Sequence, residues 1–316
     1  MKAIQIHEFG GPGTLAPAEL PDAEPADGEV LVRVRRAGVN FADIHAIRNE
    51  YVVKQELPMV PGMEVSGTTE DGRRVAAITP AGGYAELACV PEFAVVPVPD
   101  DVDDEQAAAL LAQGLTAWGT LAISARLESG ETVVVHAAAG GVGSLAVQVA
   151  RRLGAGRVIG LASTEDKRDL VLELGADAVA DSRGPDLREA ILEANHGRPV
   201  DVVLEMSGGP AFDASLAACA PFGRVVTFGI SSRVQNQVSS AKLLRRSRGV
   251  LGFFIWHLFE RPELLKRGVA EVFGAAAAGE VRAIIGGTYP LSEARRAHEE
   301  LASRGTRGKL LLDPSR

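Results

Sequence analysis

Chemistry is most legible between residues 131 and 155, ETVVVHAAAGGVGSLAVQVARRLGA. An apolar run, Val133–Val135, leads into Ala138-Ala139-Gly140-Gly141-Val142-Gly143 and then into an amphipathic pattern. This is the spacing of a dinucleotide-binding turn with Ala in the first glycine position. Gly140 would let the backbone approach a pyrophosphate, and Gly143 would permit close helix–strand packing. The helix start, with Ala139, Gly141 and Val142, would offer N–H groups and a positive dipole end to the phosphates. A plain strand–helix turn is the simpler alternative. The strand before, the helix after and the next strand at the expected distance favour the cofactor.

The next strand ends at Leu161-Ala162. An NAD enzyme places an Asp or Glu here, on the ribose hydroxyls. Position 162 is Ala, followed by Ser163, Thr164, Lys167 and Arg168. Hydroxyls and a cation without an acid would accept a 2′-phosphate, so NADP(H) is expected rather than NAD(H). The alternative is local: Ser163 or Thr164 caps a helix with Asp166 in a capping box, and Lys167 and Arg168 are solvated.

Elements that could position these groups follow from the pattern. Residues 1 to about 100 carry short β-branched runs (Val30–Val34, Val75–Ile78, Val95–Val98) between Gly, Pro and Asp turns, as in a small β-barrel or sandwich. Asp103–Asp104 can cap the helix that follows, and a second helix is expected over Thr116–Ala125. Strands are then expected at Thr132–His136, Val158–Leu161, Ala178–Ala180, Val200–Glu205 and Arg224–Phe228. Helices over Val142–Leu153, Glu165–Leu174, Leu187–Asn195 and Ala211–Ala220 alternate with them, which predicts a doubly wound parallel sheet. Tyr289–Pro314 reads as a helix and then the strand Lys309–Leu312.

Composition narrows the function. The net charge is −8, with 33 basic against 41 acidic residues, so a nucleic-acid partner is not expected. No uninterrupted apolar run of membrane-spanning length occurs, and no membrane partner is expected. The two cysteines, Cys89 and Cys219, form neither a disulfide framework nor a four-thiolate zinc site, and suit a cytoplasmic location.

Taken with AGVNFADIHAI (37–47), LPMVPGMEVSG (57–67), LLAQGLTAW (110–118), AAAGGVG (137–143), LGADAVAD (174–181), FGRVVTFG (222–229) and RGKLLL (307–312), the chain resembles the zinc-independent quinone oxidoreductases. These are the zeta-crystallin-like members of the medium-chain dehydrogenase/reductase superfamily. The resemblance implies an α/β fold: a GroES-like β-barrel catalytic domain over 1–117, completed by 259–316, and a Rossmann domain with a doubly wound parallel sheet over 118–258. It also implies a homodimer. Zinc members place a Cys where this chain has Asn40, a His where it has Met63, and a later Cys or acid near Ala112. No metal site is therefore expected.

Without zinc, oxidation of a simple alcohol lacks its Lewis acid, whereas a quinone or an α,β-unsaturated carbonyl accepts hydride with only hydrogen-bond donors and a proton. The expected activity is NADPH-dependent reduction of a quinone or enone. An enoyl-thioester reductase and a non-catalytic NADPH-binding protein are the alternatives. The resemblance places Asn40 beside the nicotinamide, although Asn40 to Asp43 also has capping-box spacing. Asp43 would orient the site from behind. Tyr51 would lie over the substrate as a donor or stacking ring, or be an ordinary loop tyrosine. Thr116 would contact the nicotinamide or cap a helix. Ser207, Gly229, Ile230, Ser231, Phe253 and Phe254 would line the nicotinamide, with core or dimer packing the alternative for the phenylalanines. Lys309 would reach the cofactor. His136 reads as a core histidine.

Overall fold

The computed structural model describes all 316 residues. The chain opens with β1 (Lys2–Gln5), β2 (Ala16–Glu19), β3 (Glu29–Val39), α1 (Phe41–Ala46), β4 (Glu64–Thr69), β5 (Arg74–Ile78), β6 (Leu87–Pro91) and β7 (Val95–Pro97). There follow α2 (Asp104–Trp118), β8 (Thr132–Val135), α3 (Gly141–Arg152), β9 (Arg157–Ala162), α4 (Glu165–Glu173), β10 (Ala178–Asp181), α5 (Leu187–Ala194), β11 (Val200–Glu205), α6 (Pro210–Ala218) and β12 (Cys219–Thr227). The last part comprises α7 (Ser240–Arg246), β13 (Gly249–Gly252), α8 (Trp256–Phe259), α9 (Pro262–Ala277), β14 (Ile285–Pro290), α10 (Ala294–Ala302) and β15 (Lys309–Asp313).

Two compact units emerge, Met1–Ala112 with Val269–Arg316, and Gln113–Gly268. The first is a GroES-like barrel. Its sheet runs β14-β15-β3-β4-β5-β7, with β6 also paired to β3. The C-terminal β15 inserts antiparallel to β3, setting Leu310 opposite Val39. That pairing carries the end of the chain to the start of α1. The core gathers Ile4, Ile6, Val32, Val65, Ile47, Leu310 and Leu312. On α10 the spacing of Ala294, Ala297, His298 and Leu301 buries one stripe of an otherwise charged helix.

The second unit is a six-stranded parallel sheet in the order β10-β9-β8-β11-β12-β13. The order reverses beside β8, and it is at the strand C-termini of such a reversal that doubly wound sheets take their ligands. His136, after β8, is a core histidine: it is 3% exposed, its Nε2 lies 2.8 Å from Ser215 Oγ, and burial pulls its pKa down to about 4.

Three expectations change. Thr116–Ala125 is not a separate helix. The helix runs on from Asp104 and widens into π-type turns at Gly119–Ala125, where Thr120 Oγ1 donates to the Thr116 and Ala117 carbonyls at 2.8 and 2.9 Å. This long apolar helix would satisfy the length of a membrane span, but most of it is buried within the protein. β12 starts at Cys219, five residues before the expected Arg224. In the C-terminal stretch a strand, β14, precedes the helix; IGGTYP hides it because two glycines and a proline weaken the strand pattern.

Arg224 ties β12 to the entrance of β8. Its guanidinium makes a bidentate pair with Glu131 and also donates to the carbonyls of Ala125 (2.7 Å) and Arg126 (3.1 Å). Arg224→Ala would leave Glu131 and both carbonyls without these donors. A loss of about 3 kcal/mol in denaturant unfolding is expected, against a loss under about 1 kcal/mol if the pair behaves as an exposed one.

Candidate active site

In the first unit the site grows from the junction of β3 and α1. Asn40 is the N-cap of α1 in a capping box with Asp43, whose Oδ2 accepts the Asn40 backbone N–H at 2.7 Å. Asn40 thus caps α1, and its side chain also turns into a polar cluster. Lys309 Nζ donates to Asn40 Oδ1 at 2.7 Å and to Glu64 Oε2 at 2.5 Å. Asn40 Nδ2 donates to the same Glu64 oxygen at 3.2 Å, with a longer 3.4 Å contact to the Gly38 carbonyl. Glu64 Oε1 accepts the Ala112 N–H at 2.6 Å. An ammonium has only donors and a carboxylate only acceptors, so these two neighbours fix which way the Asn40 amide faces.

Glu64 is fully buried and Lys309 is 3% exposed. Gly38 makes room for them: a Cβ there would lie 2.5 Å from Glu64 Oε2 and 2.7 Å from Lys309 Cε. Behind Asn40, Asp43 is also fully buried, and burial raises its pKa to about 7 despite the Asn40 N–H and the Lys309 charge. Tyr84 Oη donates to Asp43 Oδ2 at 3.1 Å. Tyr51 is held protonated, its pKa raised to about 12 by burial and by the charge of Asp43.

Asn40, Asp43, Tyr51 and Lys309 are therefore brought into one neighbourhood. Sequence alone singles out neither Glu64, Tyr84 nor His298. A signal existed for each. Glu64 opens a buried strand and needs a cation, Tyr84 is a buried tyrosine whose hydroxyl needs a partner, and His298 lies on the apolar stripe of α10. No group of three or more His, Cys, Asp and Glu side chains is arranged to hold a metal ion. Met63 is buried, and the Asn40 amide oxygen faces Lys309.

In the second unit, Ala139, Gly140, Gly141, Val142 and Gly143 form the turn from β8 into α3. Gly140 is the N-cap, with no side chain closing over the helix start. A Cβ at Gly143 would fall 2.2 Å from the Ala137 carbonyl oxygen, so only glycine lets the turn fold this tightly. The residues fit a pyrophosphate: an uncapped helix start, small residues and the reversal of strand order meet there. Ser163 and Thr164 follow β9. Thr164 is the N-cap of α4, but its hydroxyl donates to Asp166 Oδ1 at 2.5 Å rather than closing a capping box. Lys167 is buried, not solvated, and Arg168 pairs with Asp181 at 3.8 Å.

Ser207, Gly229, Ile230 and Ser231 follow adjacent strands. The Ser231 N–H donates to the Met206 carbonyl at 2.8 Å and the Ser232 N–H to the Ser207 carbonyl at 2.9 Å, fastening one loop to the other. Phe253 follows β13 with its N–H on the Thr227 carbonyl at 3.0 Å. A Cβ at Gly119 would meet the Phe253 ring at 2.3 Å, so that ring packs on the helix carrying Thr116. Phe254 makes an edge contact with His257, centroids 5.5 Å apart.

Comparison with known proteins gives a consistent outcome. Family models described as "Alcohol dehydrogenase GroES-like domain" and "Zinc-binding dehydrogenase" match residues 26–100 and 141–271. The chain is 36% identical to a quinone oxidoreductase of Pseudomonas aeruginosa, covering 99% of each. It is 32% identical to a 2-haloacrylate reductase of a Burkholderia species, covering 99% of this chain and 98% of the relative. Its backbone matches a mycobacterial protein, Rv1454c, solved with NADPH, at a TM-score of 0.93 and 36% identity over 99% of this chain and 100% of that one.

Two stability measurements probe the buried charges. Glu64→Gln should destabilise the fold by about 3–5 kcal/mol, because it strands the Lys309 ammonium, and adding Lys309→Met should recover much of that loss. Asp43 ionises near 3.8 in an unfolded chain and near 7 in the fold. Between those values the folded state holds a proton that the unfolded state has released, so this residue disfavours folding increasingly as pH rises through that window. Measured from pH 4 to pH 7.5, Asp43→Asn should gain on the wild type by up to about 4 kcal/mol. A pH-independent difference would place Asp43 in a solvated site.

Proposed function

Since the chain belongs to the zeta-crystallin-like quinone oxidoreductase family of the medium-chain dehydrogenase/reductase superfamily, we propose that this oxidoreductase reduces a quinone or α,β-unsaturated carbonyl with NADPH and without zinc. The single observation that carries this reading is the Asn40 amide held between Lys309 and Glu64 where zinc members keep a ligand. Relatives named for quinone and 2-haloacrylate reduction both act on electron-poor, conjugated substrates, which supports the same class.

NADPH, when bound, supplies the hydride that a conjugated acceptor takes up. It would be held by the Gly140–Gly143 turn, by Ala139, and by Ser207, Gly229, Ile230, Ser231, Phe253, Phe254 and Thr116. The NADPH complex of the mycobacterial relative supports this cofactor. Ser163, Thr164 and Lys167 are proposed to take the 2′-phosphate, since position 162 has no acid to repel it.

Asn40 is proposed to orient the substrate. Its 3.4 Å contact to the Gly38 carbonyl is the one that a substrate oxygen would replace. As negative charge develops on that oxygen, the donor is strengthened by the Lys309 charge on the other end of the amide. The Lys309 ammonium thus takes over, through Asn40, part of the task a metal performs elsewhere. Tyr51 stays protonated at neutral pH and can donate to the same oxygen. Asp43 fixes Asn40 through its backbone N–H.

A homodimer is proposed on the unpaired edge of β13, where Leu251 is 39% exposed. A cytoplasmic location suits the two free thiols.

Initial rates of NADPH and NADH oxidation with a para-quinone and with a simple enone, in chelator-treated buffer, test the reading. Metal-independent turnover preferring NADPH is expected. Asn40→Ala should lower kcat by about 100-fold, the effect of removing one oxyanion donor, and Lys167→Ala should raise KM for NADPH while leaving NADH nearly unaffected. Activity that disappears with chelation, or saturable NADPH binding with no turnover of either substrate, would count against it.

A further inference from the structure

Two side chains behind Asn40 have no task in the reaction just described. Tyr84 lies in the segment between β5 and β6, and His298 on α10; with Asp43 they have no exposed surface. Tyr84 Oη is 3.1 Å from Asp43 Oδ2 and 2.9 Å from His298 Nε2. The Tyr84 and His298 rings meet edge to face, centroids 5.6 Å apart. The far atoms of the row, Asp43 Oδ1 and His298 Nδ1, are buried without partners.

A tyrosine hydroxyl has one proton to give. While Asp43 is charged it only accepts, so the Tyr84 proton must face it. The Tyr84 oxygen then accepts from His298, which fixes the ring with its proton on Nε2. When Asp43 takes up a proton, that proton seeks an acceptor among fully buried groups. Oδ1 has none, whereas Oδ2 faces Tyr84. With that proton on Oδ2 the Tyr84 hydroxyl turns to His298 Nε2, and the neutral ring carries its proton on Nδ1. One proton on Asp43 reverses both hydrogen bonds.

We infer that Asp43, Tyr84 and His298 form a buried two-state hydrogen-bond chain, and that Tyr84 and His298 are positioning residues which hold Asn40 through Asp43. The charged state is the one that holds it, because the 2.7 Å bond from the Asn40 N–H is stronger to a carboxylate than to a neutral acid. Only the link to activity rests on the proposed reductase reading. The groups acting on Asp43 are Lys309 and Tyr84, which favour its charge, and Glu64, which opposes it; Asp43 in turn acts on Tyr51. No charged group shifts His298. Burial alone lowers its pKa to about 4, whereas Asp43, chiefly through burial, is raised to about 7, so near neutrality Asp43 is the group that titrates.

The test begins on the free protein, with no cofactor or substrate. Nitrogen-15 NMR of histidine-labelled protein between pH 5 and pH 9 reads the tautomer of His298. The expected result is a neutral ring that passes from Nε2–H to Nδ1–H as pH falls through about 7, with no such change in Asp43→Asn or Tyr84→Phe. A single tautomer throughout in the wild type would overturn the chain. The second readout is kcat against pH with an enone. The acid limb should move up by roughly one pH unit in Tyr84→Phe, which removes a donor to the carboxylate. It should move likewise in His298→Leu but stay in place in His298→Gln, which can still meet the Tyr84 hydroxyl. An unmoved limb in Tyr84→Phe would overturn the positioning role. A tautomer change in a protein that reduces neither quinone nor enone would uphold the chain and remove the reductase reading.

Discussion

A cation buried at the end of the chain constrains the whole first unit. The Lys309 ammonium has almost no contact with solvent, and a buried charge is tolerated only when it is paired and hydrogen-bonded. Its partners come from far away in sequence: Glu64 lies 245 positions back and Asn40 lies 269 back. Several features follow from bringing them together. The last strand must insert beside β3, residue 38 must be glycine, and α1 must begin at residue 40. Lost pairing at any one of them leaves an uncompensated charge in the core.

The second unit obeys a different constraint, that of backbone approach. Gly143 packs against the Ala137 carbonyl too closely for any Cβ, and Ala137 itself has a φ of +47°. The turn that results leaves the start of α3 without a side-chain cap, which suits an anion. One unit thus presents donors and the other an anion cradle, and the proposed chemistry asks each for what it is built to supply.

The cradle was legible in the sequence because all its parts are contiguous. A strand, a turn and a helix within about 25 residues carry their own periodicity and glycine spacing. The parallel sheet was legible for the same reason, strand after strand. The donor cluster was not. Glu64 reads as one acid in PGMEVSG, and Lys309 in RGKLLL reads only as a residue that reaches the cofactor, until the pairing of β15 with β3 brings the two together. The long helix also escaped, since a widened turn at Gly119 has no periodic signature, and the Phe253 ring packed beside it is distant in sequence. Asp43 reads as lying behind the site, but its continuation through Tyr84 to His298 depends on α10, from the last part of the chain.

The central claim is that Lys309 acts on the substrate through the Asn40 amide. A double-mutant cycle on kcat/KM for NADPH-dependent enone reduction, with Asn40→Ala, Lys309→Met and both together, addresses it most directly. Coupled residues give strongly non-additive losses, so the double variant should be little worse than the poorer single variant. Losses that simply multiply would mean that Lys309 serves the fold or the cofactor independently of Asn40, and would contradict the claim.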